Sequence, residues 1–363
     1  MFDDSADLTK EIGMPPFPTS SNSSFFPSRQ TARKLDLRGI VLAGLVTTFA
    51  WTHDAAANVA MNTGVTGHLV VPVFVNGKGP YQFMLDTGAD TSAVYAWFAS
   101  EQHLPSGKPA TISGATGDVE ETTTRVESLT LDGWTVQNLD VDTIPDRTDG
   151  MKTAGIVGAD MLMDRLTVMD TGCETVALLP RSVDAATAAG RSAILTGAGS
   201  IEKGKQLTLP VIVNGVAGVA TLDSGARSTM INNTFAKAAQ IDPASTSFRD
   251  GPPARGAVQT PIPSRVGPIS SVRFPGSTQR NVVVRVVDLP VFDDAGYSNG
   301  HAFNIGLDML HNMRITIDYS ARKVWIGPSS CVAKNAPSQH TLGDRQQPFT
   351  VTSGRFRTSS FKD

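Results

Sequence analysis

The chain has 363 residues, of which 40% are hydrophobic and 18% are charged, and its formal net charge is −3. This is an ordinary globular composition, with length for two domains of roughly 120 residues each. The 31 basic and 34 acidic residues form no basic stripe, which argues against a nucleic acid partner. The six histidines are scattered without metal-ligand spacing, so we expect no metal and no other cofactor.

Residues 1–57 have the organisation of a leader. Residues 1–30 are rich in Ser, Pro and Phe and lack periodicity, which predicts disorder. Basic residues (Arg33, Lys34 and Arg38) then precede an apolar run at 40–51, which is too short to span a bilayer, and small residues follow at 55–57. This order is typical of a secretory signal, so we expect export and no stable membrane span. A short membrane anchor or a buried helix are the alternatives.

Residues 65–180 form the first predicted unit, and its pattern is one of short strands. Strands at 69–75 and 82–85 flank an Asn76-Gly77 turn, a strong β-hairpin signal, and lead into Asp86-Thr87-Gly88-Ala89. The later expected elements, in chain order, are a helix at about 93–102, a glycine-containing hairpin at 112–117, strands at 126–131 and 137–144, and the pair Val157-Gly158. Many short strands with few helices indicate a closed, mainly β lobe.

Residues 206–328 repeat this order. Strands at 206–213 and 219–222 flank Asn214-Gly215 and lead into Asp223-Ser224-Gly225-Ala226. The later expected elements are a helix at about 232–240 capped by Asn232 or Asn233, a hairpin at 255–258, strands at 269–274 and 281–287, and the pair Ile305-Gly306. A repeat this long indicates duplicated domains.

The remaining segments are predicted to be a linker and a tail. Residues 181–205 are rich in Ala, Gly and Ser and have one short helical piece. Gly199 to Gln206 nearly matches a phosphate loop, but it lacks the final Ser or Thr and precedes a strand, so we interpret it as linker. The tail at 329–363 is polar, with strand-like alternation at 349–352 alone.

The repeated aspartates predict a shared catalytic site. A chain that makes the same aspartate-bearing unit twice can place Asp86 and Asp223 face to face, and two carboxylates that share one proton are the machinery of an aspartic protease. One Asp-Thr-Gly motif alone is weak evidence, and a third copy occurs at Asp170-Thr171-Gly172. This copy lacks a preceding Asn-Gly hairpin, so we interpret it as a structural turn.

These motifs resemble the active-site turns of retropepsin-like aspartic proteases. Val157-Gly158 and Ile305-Gly306 resemble the apolar-apolar-glycine element of that family, and the Gly-x-Asp-x-Leu pattern that follows is similar to bacterial members. The resemblance covers residues 65–328. It implies a mainly β protein with two retropepsin-like or pepsin-like closed lobes fused in one chain, a catalytic cleft between them, and one or two flaps over it, at 113–117 and 255–259.

The resemblance also implies roles for individual residues. The catalytic residues are Asp86 and Asp223, and the supporting loop residues are Thr87, Gly88, Ala89, Ser224, Gly225 and Ala226. In this family the Thr87 and Ser224 hydroxyls would bond across the pseudo-twofold axis. Substrate-binding candidates are Asp90, its counterpart Arg227, and the flap residues Gly114 and Gly256. Arg227 either pairs with Asp308 or Asp160 or is solvated. Asn304 occupies a position where the family has an apolar residue, so the packing behind Asp223 is expected to differ from the family's.

We therefore expect an aspartic endopeptidase, exported to a bacterial periplasm or secreted, that acts on peptides or proteins as a monomer of two fused lobes. A non-catalytic peptide-binding module of the same fold is the alternative, and pairing of one lobe with another chain is a third possibility. Cys173 and Cys331 either pair or remain buried thiols. Because Ala89 and Ala226 lack the hydroxyl that pepsins have there, we expect a raised dyad pKa and an optimum of roughly pH 4 to 6.5.

Overall fold

The computed structural model describes residues 58–64, 66–197, 199–200, 206–294 and 300–331. The predicted leader at 1–57 and the candidate strand at 349–352 lie outside these residues. Among the helices that the structure does describe, none is long and apolar enough to cross a membrane.

Short strands make up most of the described chain. The first half contains β1 (Val59–Ala60), β2 (Asn62–Thr63), β3 (Leu69–Val75), β4 (Lys78–Leu85), β5 (Ala93–Tyr95), α1 (Ala96–Glu101), β6 (Ser106–Gly114), β7 (Gly117–Leu131), β8 (Trp134–Ile144), β9 (Gly155–Val157), α2 (Ala159–Leu162), β10 (Leu166–Asp170) and β11 (Thr175–Leu179). Between the halves lie α3 (Ala185–Ala189), β12 (Ile194–Gly197) and β13 (Gly199–Ser200). The second half contains β14 (Leu207–Val213), β15 (Val216–Leu222), β16 (Met230–Ile231), α4 (Asn233–Ala238), β17 (Arg249–Ala254), β18 (Ile262–Phe274), β19 (Ser277–Val286), α5 (Pro290–Asp294), β20 (Ala302–Ile305), α6 (Leu307–Leu310), β21 (Met313–Asp318) and β22 (Lys323–Pro328).

Two lobes have the same sheet topology. The first has the strand order β2-β3-β4-β9-β5-β8-β7-β6, and the second has the order β13-β14-β15-β20-β16-β19-β18-β17. An additional pairing, β3 with β7 and β14 with β18, curls each sheet back on itself. The two orders match strand for strand, so the repeat in the sequence is a repeat of architecture, and the protein is mainly β with two duplicated lobes.

A third sheet joins the two lobes. Its order is β1-β11-β10-β21-β22-β12, and its central antiparallel pair takes one strand from each half, with Val168 opposite Thr316. The strand β12 belongs to the segment that the sequence indicated as a linker, and it pairs with β22 from Ile194 opposite Ile326. This segment therefore contains the expected short helix, α3, and also an edge strand of the joining sheet.

The helix expected at 93–102 begins later than predicted. Residues 93–95 form β5, which runs parallel to β8 and antiparallel to β9, and Ala93, Val94 and Tyr95 are all buried. These partners, distant in sequence, override the local helical pattern, and α1 starts at Ala96. The second helix, α4, follows the prediction more closely, and Asn232 caps it by accepting a hydrogen bond from the Phe235 amide.

The hydrophobic core is continuous through both lobes and the joining sheet. One cluster of buried side chains includes Phe83 and Phe98 of the first lobe, Phe235 and Phe303 of the second, and Met169 of β10. Because the lobes share this core, the joining sheet fixes one lobe against the other.

A disulfide closes the joining sheet at one end. It links Cys173, in the turn between β10 and β11, to Cys331, just after β22, and the two Cα atoms are 4.9 Å apart. The bond therefore connects the end of the first half to the end of the second.

Candidate active site

The two aspartates lie at equivalent strand ends. Asp86 directly follows β4, which pairs in parallel with β9, and its amide donates to the Val157 carbonyl at 3.0 Å. Asp223 directly follows β15, which pairs in parallel with β20, and its amide donates to the Ile305 carbonyl at 3.1 Å. The apolar-apolar-glycine elements thus anchor both aspartate loops in the same way.

In each half, a second aspartate accepts hydrogen bonds from the segment that follows the aspartate loop. The Asp160 carboxylate accepts hydrogen bonds from the Ser92 amide and hydroxyl at 2.9 and 2.7 Å. In the second lobe, the Asp308 carboxylate accepts from the Thr229 amide and hydroxyl at 2.9 and 2.6 Å. Sequence reasoning did not assign a role to Ser92 or Thr229, although their matched positions in the repeat were a usable signal.

Two hydroxyls lock the aspartate loops together across the lobes. The Thr87 hydroxyl donates to the Leu222 carbonyl at 2.9 Å and accepts from the Ser224 amide at 2.9 Å. The Ser224 hydroxyl donates to the Leu85 carbonyl at 2.8 Å and accepts from the Thr87 amide at 3.0 Å. Both side chains are buried, so four reciprocal hydrogen bonds fix the loops relative to each other.

Each loop glycine lies against the opposite aspartate. A Cβ atom at Gly88 would be 2.7 Å from Asp223 Cγ and 2.8 Å from Asp223 Oδ1, and a Cβ at Gly225 would overlap the Asp86 carboxylate. Glycine is needed at both positions because of this close approach, and neither has a positive φ. The Gly88 amide also donates to Asp86 Oδ1 at 2.8 Å, and the Ala226 amide donates to Asp223 Oδ1 at 2.9 Å.

Asp86 and Asp223 therefore face each other, each against the loop glycine of the other lobe, and both are half-buried. Burial raises the pKa of Asp86 well above its ordinary value, and the charge of Asp223 raises it further. Burial also raises the pKa of Asp223, but the donors Asn304 and Ala226 act in the opposite direction. A pair of this kind keeps one shared proton at a pH at which separate carboxyl groups are ionised.

Asn304 packs inside the second lobe and contacts the dyad. It lies in β20, is 6% exposed, and its side-chain amide nitrogen donates to Asp223 Oδ2 at 2.7 Å. Asn304, which departs from the apolar residue of the family pattern, is thus a hydrogen-bond donor to Asp223.

Asp90 and Arg227 have partners outside the dyad. The Asp90 carboxylate accepts from the Gln206 amide at 3.0 Å. The exposed Arg227 guanidinium donates to the Thr66 carbonyl at 3.2 Å. Of the two alternatives for Arg227, an ion pair with Asp160 or Asp308 does not form among the described residues, since both carboxylates are bound by Ser92 and Thr229 instead.

The two predicted flaps meet at their tips. The Gly256 amide donates to the Thr116 hydroxyl at 3.2 Å, and a Cβ at Gly114 would be 3.1 Å from Val258 Cγ1. Thr116 and Val258 are buried although both lie at hairpin tips. Each tip also packs on the other lobe. Ala257 lies with Ala89 against a first-lobe cluster, and Ala115 lies against a second-lobe cluster.

The third Asp-Thr-Gly copy, at residues 170–172, has a different role from the two aspartate loops. Asp170 ends β10, is fully buried, accepts from the Cys173 amide at 2.9 Å and pairs with Arg314 at 3.2 Å. These bonds are those of a structural turn.

Among the described residues, no group of three or more His, Cys, Asp or Glu side chains is arranged to hold a metal ion.

A sequence model of the aspartyl protease family matches residues 71–161 and 209–309, more than half of the chain. The chain belongs to the aspartyl protease family. Each match spans one aspartate loop and the glycine element that anchors it, which agrees with two fused retropepsin-like domains. A search of curated proteins finds no match.

Proposed function

We propose that this aspartyl protease family member is an aspartic endopeptidase that uses Asp86 and Asp223 to activate water. The observation that carries the proposal is the facing, half-buried pair, in which burial raises the pKa of both carboxyl groups. In such a pair, one ionised carboxylate and one protonated carboxyl coexist over a useful pH range.

The chemistry needs no covalent enzyme intermediate. The ionised carboxylate takes a proton from water as the water oxygen attacks the peptide carbonyl carbon, and the protonated carboxyl gives its proton to the carbonyl oxygen. The tetrahedral gem-diol then collapses: the aspartate that took the water proton gives it to the amide nitrogen, the C–N bond breaks, and a gem-diol hydroxyl returns a proton to the other aspartate, which leaves a carboxylic acid, an amine and the starting dyad. The locked loops of Thr87 and Ser224 keep the two carboxyl groups in place during these transfers.

The substrate is proposed to be a peptide or protein segment held between the dyad and the flaps. The packing of Ala257 and Ala89 against the same first-lobe cluster supports this placement, because it brings the second flap near the first aspartate loop. Both loops come from one chain, which supports a monomer as the active unit. The disulfide supports export to the periplasm or medium, since disulfides persist in oxidising compartments.

The test is hydrolysis of a peptide library by the purified protein from acid to neutral pH. We expect Asp86→Asn and Asp223→Asn each to abolish cleavage, because each removes the shared proton's acid–base pair without a change of shape. Asp170→Asn is the matched control and should leave the rate per folded molecule near wild type. A statine-type peptide should compete with substrate, since its hydroxyl mimics the tetrahedral intermediate.

Two results would contradict the proposal. Retention of most of the rate in either dyad variant would exclude a two-aspartate mechanism. Tight peptide binding by the wild type with no cleavage at any pH would favour the alternative, a non-catalytic peptide-binding module.

A further inference from the structure

The duplicated lobes differ at the position of Asn304, whose side chain contacts Asp223. Asn304 in β20 and Ile156 in β9 are equivalent, since each lies one residue before the apolar residue and glycine that anchor an aspartate loop. Both side chains are buried, at 6% and 5% exposure. The position is therefore an apolar one in the first lobe and a hydrogen-bonding one in the second.

This difference gives the two aspartates unequal donors. Each aspartate accepts a backbone amide at Oδ1, from Gly88 at 2.8 Å for Asp86 and from Ala226 at 2.9 Å for Asp223. Among the described residues, Asp223 also accepts from a side-chain amide, with Asn304 Nδ2 at 2.7 Å from Oδ2, and Asp86 has no such amide donor. Ile156 has no group that could make the equivalent bond to Asp86.

The buried amide is not explained by packing. Its Oδ1 is buried and has no hydrogen-bond partner among the described residues, which is a cost that an apolar side chain would avoid. The bond to Asp223 is what compensates for this cost. An amide nitrogen directed at a carboxylate oxygen favours the ionised carboxylate over the protonated carboxyl.

We propose that Asn304 is a positioning residue that makes the dyad asymmetric, so that Asp223 is the ionised base and Asp86 carries the shared proton. The assignment of base and acid rests on the proposed function, whereas the unequal ionisation does not. In the hydrolytic cycle Asp223 takes the proton of the attacking water, and Asp86 protonates the substrate carbonyl oxygen.

The decisive experiment measures ionisation without activity. In Asp86→Asn, Asp223 titrates alone, and in Asp223→Asn, Asp86 titrates alone, so ¹³Cγ NMR of labelled aspartate gives one pKa from each protein. We expect the Asp223 pKa to be lower than that of Asp86 by about one to two units, the effect of one hydrogen bond to a charged group. Adding Asn304→Ile to Asp86→Asn should remove most of this difference.

The matched variants separate the donor from the packing. Asn304→Ile in the otherwise wild-type protein should move the acid limb of the pH–rate profile upward by about one unit. Ile156→Leu, a change at the equivalent position without a donor, should leave that limb in place. The exchange variant Ile156→Asn with Asn304→Ile should restore the acid limb, with Asp86 now the ionised member.

The proposal is overturned if Asp86 and Asp223 titrate alike in the single variants, or if Asn304→Ile leaves the Asp223 pKa unchanged. Equal shifts from Asn304→Ile and Ile156→Leu would also overturn it, because packing would then be the cause. A wild-type protein that cleaves no peptide would refute the proposed function while the NMR titration still decides the role of Asn304.

Discussion

At the scale of single residues, the dyad makes the stability of the fold depend on pH. A carboxyl whose pKa is raised by folding stabilises the folded state fully below its unfolded pKa, near 4, and loses that contribution as the pH rises through the folded pKa. Burial raises the pKa of both Asp86 and Asp223. The dyad therefore destabilises the fold at neutral pH relative to acid pH.

We expect Asp86→Asn to stabilise the protein at pH 7 by about 1–3 kcal/mol, because it removes a buried group that resists ionisation. The difference from wild type should shrink as the pH falls, because the dyad then takes up protons and no longer holds a buried charge. Urea unfolding across this pH range measures both effects. Asp140→Asn, at an exposed ion pair with Arg125, is the control and should not reproduce the pH dependence. A variant that is less stable than wild type at pH 7 would contradict this account.

Ala89 and Ala226 lack a side-chain hydroxyl that could donate a hydrogen bond to the ionised dyad, and we expect this lack to raise the pKa of the dyad. We expect Ala226→Ser to shift the pH–rate profile toward acid, because a hydroxyl at that loop adds a hydrogen bond to the ionised form. The wild-type optimum is expected at roughly pH 4 to 6.5. Ala89→Ser is a stricter case, since Ala89 packs against the same first-lobe cluster as Ala257 of the second flap. Unchanged or alkaline-shifted profiles in both variants would remove this explanation.

At the scale of elements, the loop lock of Thr87 and Ser224 holds one lobe to the other. Thr87→Val keeps the side-chain shape but leaves the Leu222 carbonyl and the Ser224 amide without their partner. Since both groups are buried, we expect the free energy of unfolding to fall by about 2–4 kcal/mol, with a loss of activity. Chemical denaturation of folded variants measures the first effect.

The control for the loop lock is Thr91→Val, which removes an exposed hydroxyl that bonds to Asp142. A surface change of this kind should stay within about 0.5 kcal/mol of wild type. If the two valine variants were equally stable, the cross-lobe hydrogen bonds would not be a main support of the site.

Elements that local signals encode could be predicted, and those that need distant partners could not. The Asn-Gly hairpins and the aspartates at strand ends were predictable because turn chemistry and alternation act within a few residues. The predicted start of α1 was wrong because residues 93–95 form a strand that pairs with β8 and β9. The strand β12 was missed because its partner, β22, follows more than a hundred residues later.

The candidate site shows the same limit. The pairing of the two aspartates was predicted from the repeat, whereas the roles of Thr87 and Ser224 were predicted from the resemblance to retropepsin-like proteases. The donor role of Asn304 was not predictable, because the sequence shows that the residue is polar but not which atom its amide faces. The partners of Asp160 and Asp308 likewise depend on a three-dimensional contact between separate segments.

At the scale of the whole molecule, the disulfide closes a long loop. Cys173 and Cys331 are 158 positions apart, and this segment contains the whole second lobe. Replacing both by Ser, or reducing the bond, should lower the free energy of unfolding by about 2–5 kcal/mol, because the unfolded chain regains the freedom that the cross-link removes.

Thermal unfolding with and without reductant measures that change. The rate of peptide cleavage at a permissive temperature should remain near wild type, since the loop lock does not involve either cysteine. A reduced protein as stable as the oxidised one would contradict the prediction.

The fusion of two like lobes in one chain has a consequence for how such a site can change. In an enzyme assembled from two identical subunits, every mutation appears on both sides of the axis, so an asparagine beside one aspartate would stand beside both. Here each half is inherited as its own stretch of sequence, and Ile156 and Asn304 have diverged while the aspartates have not. In a fused chain, a mutation in one lobe alters the surroundings of one aspartate and leaves those of the other unchanged. The two aspartates can therefore acquire different roles, which a homodimer cannot achieve by mutation of its single gene.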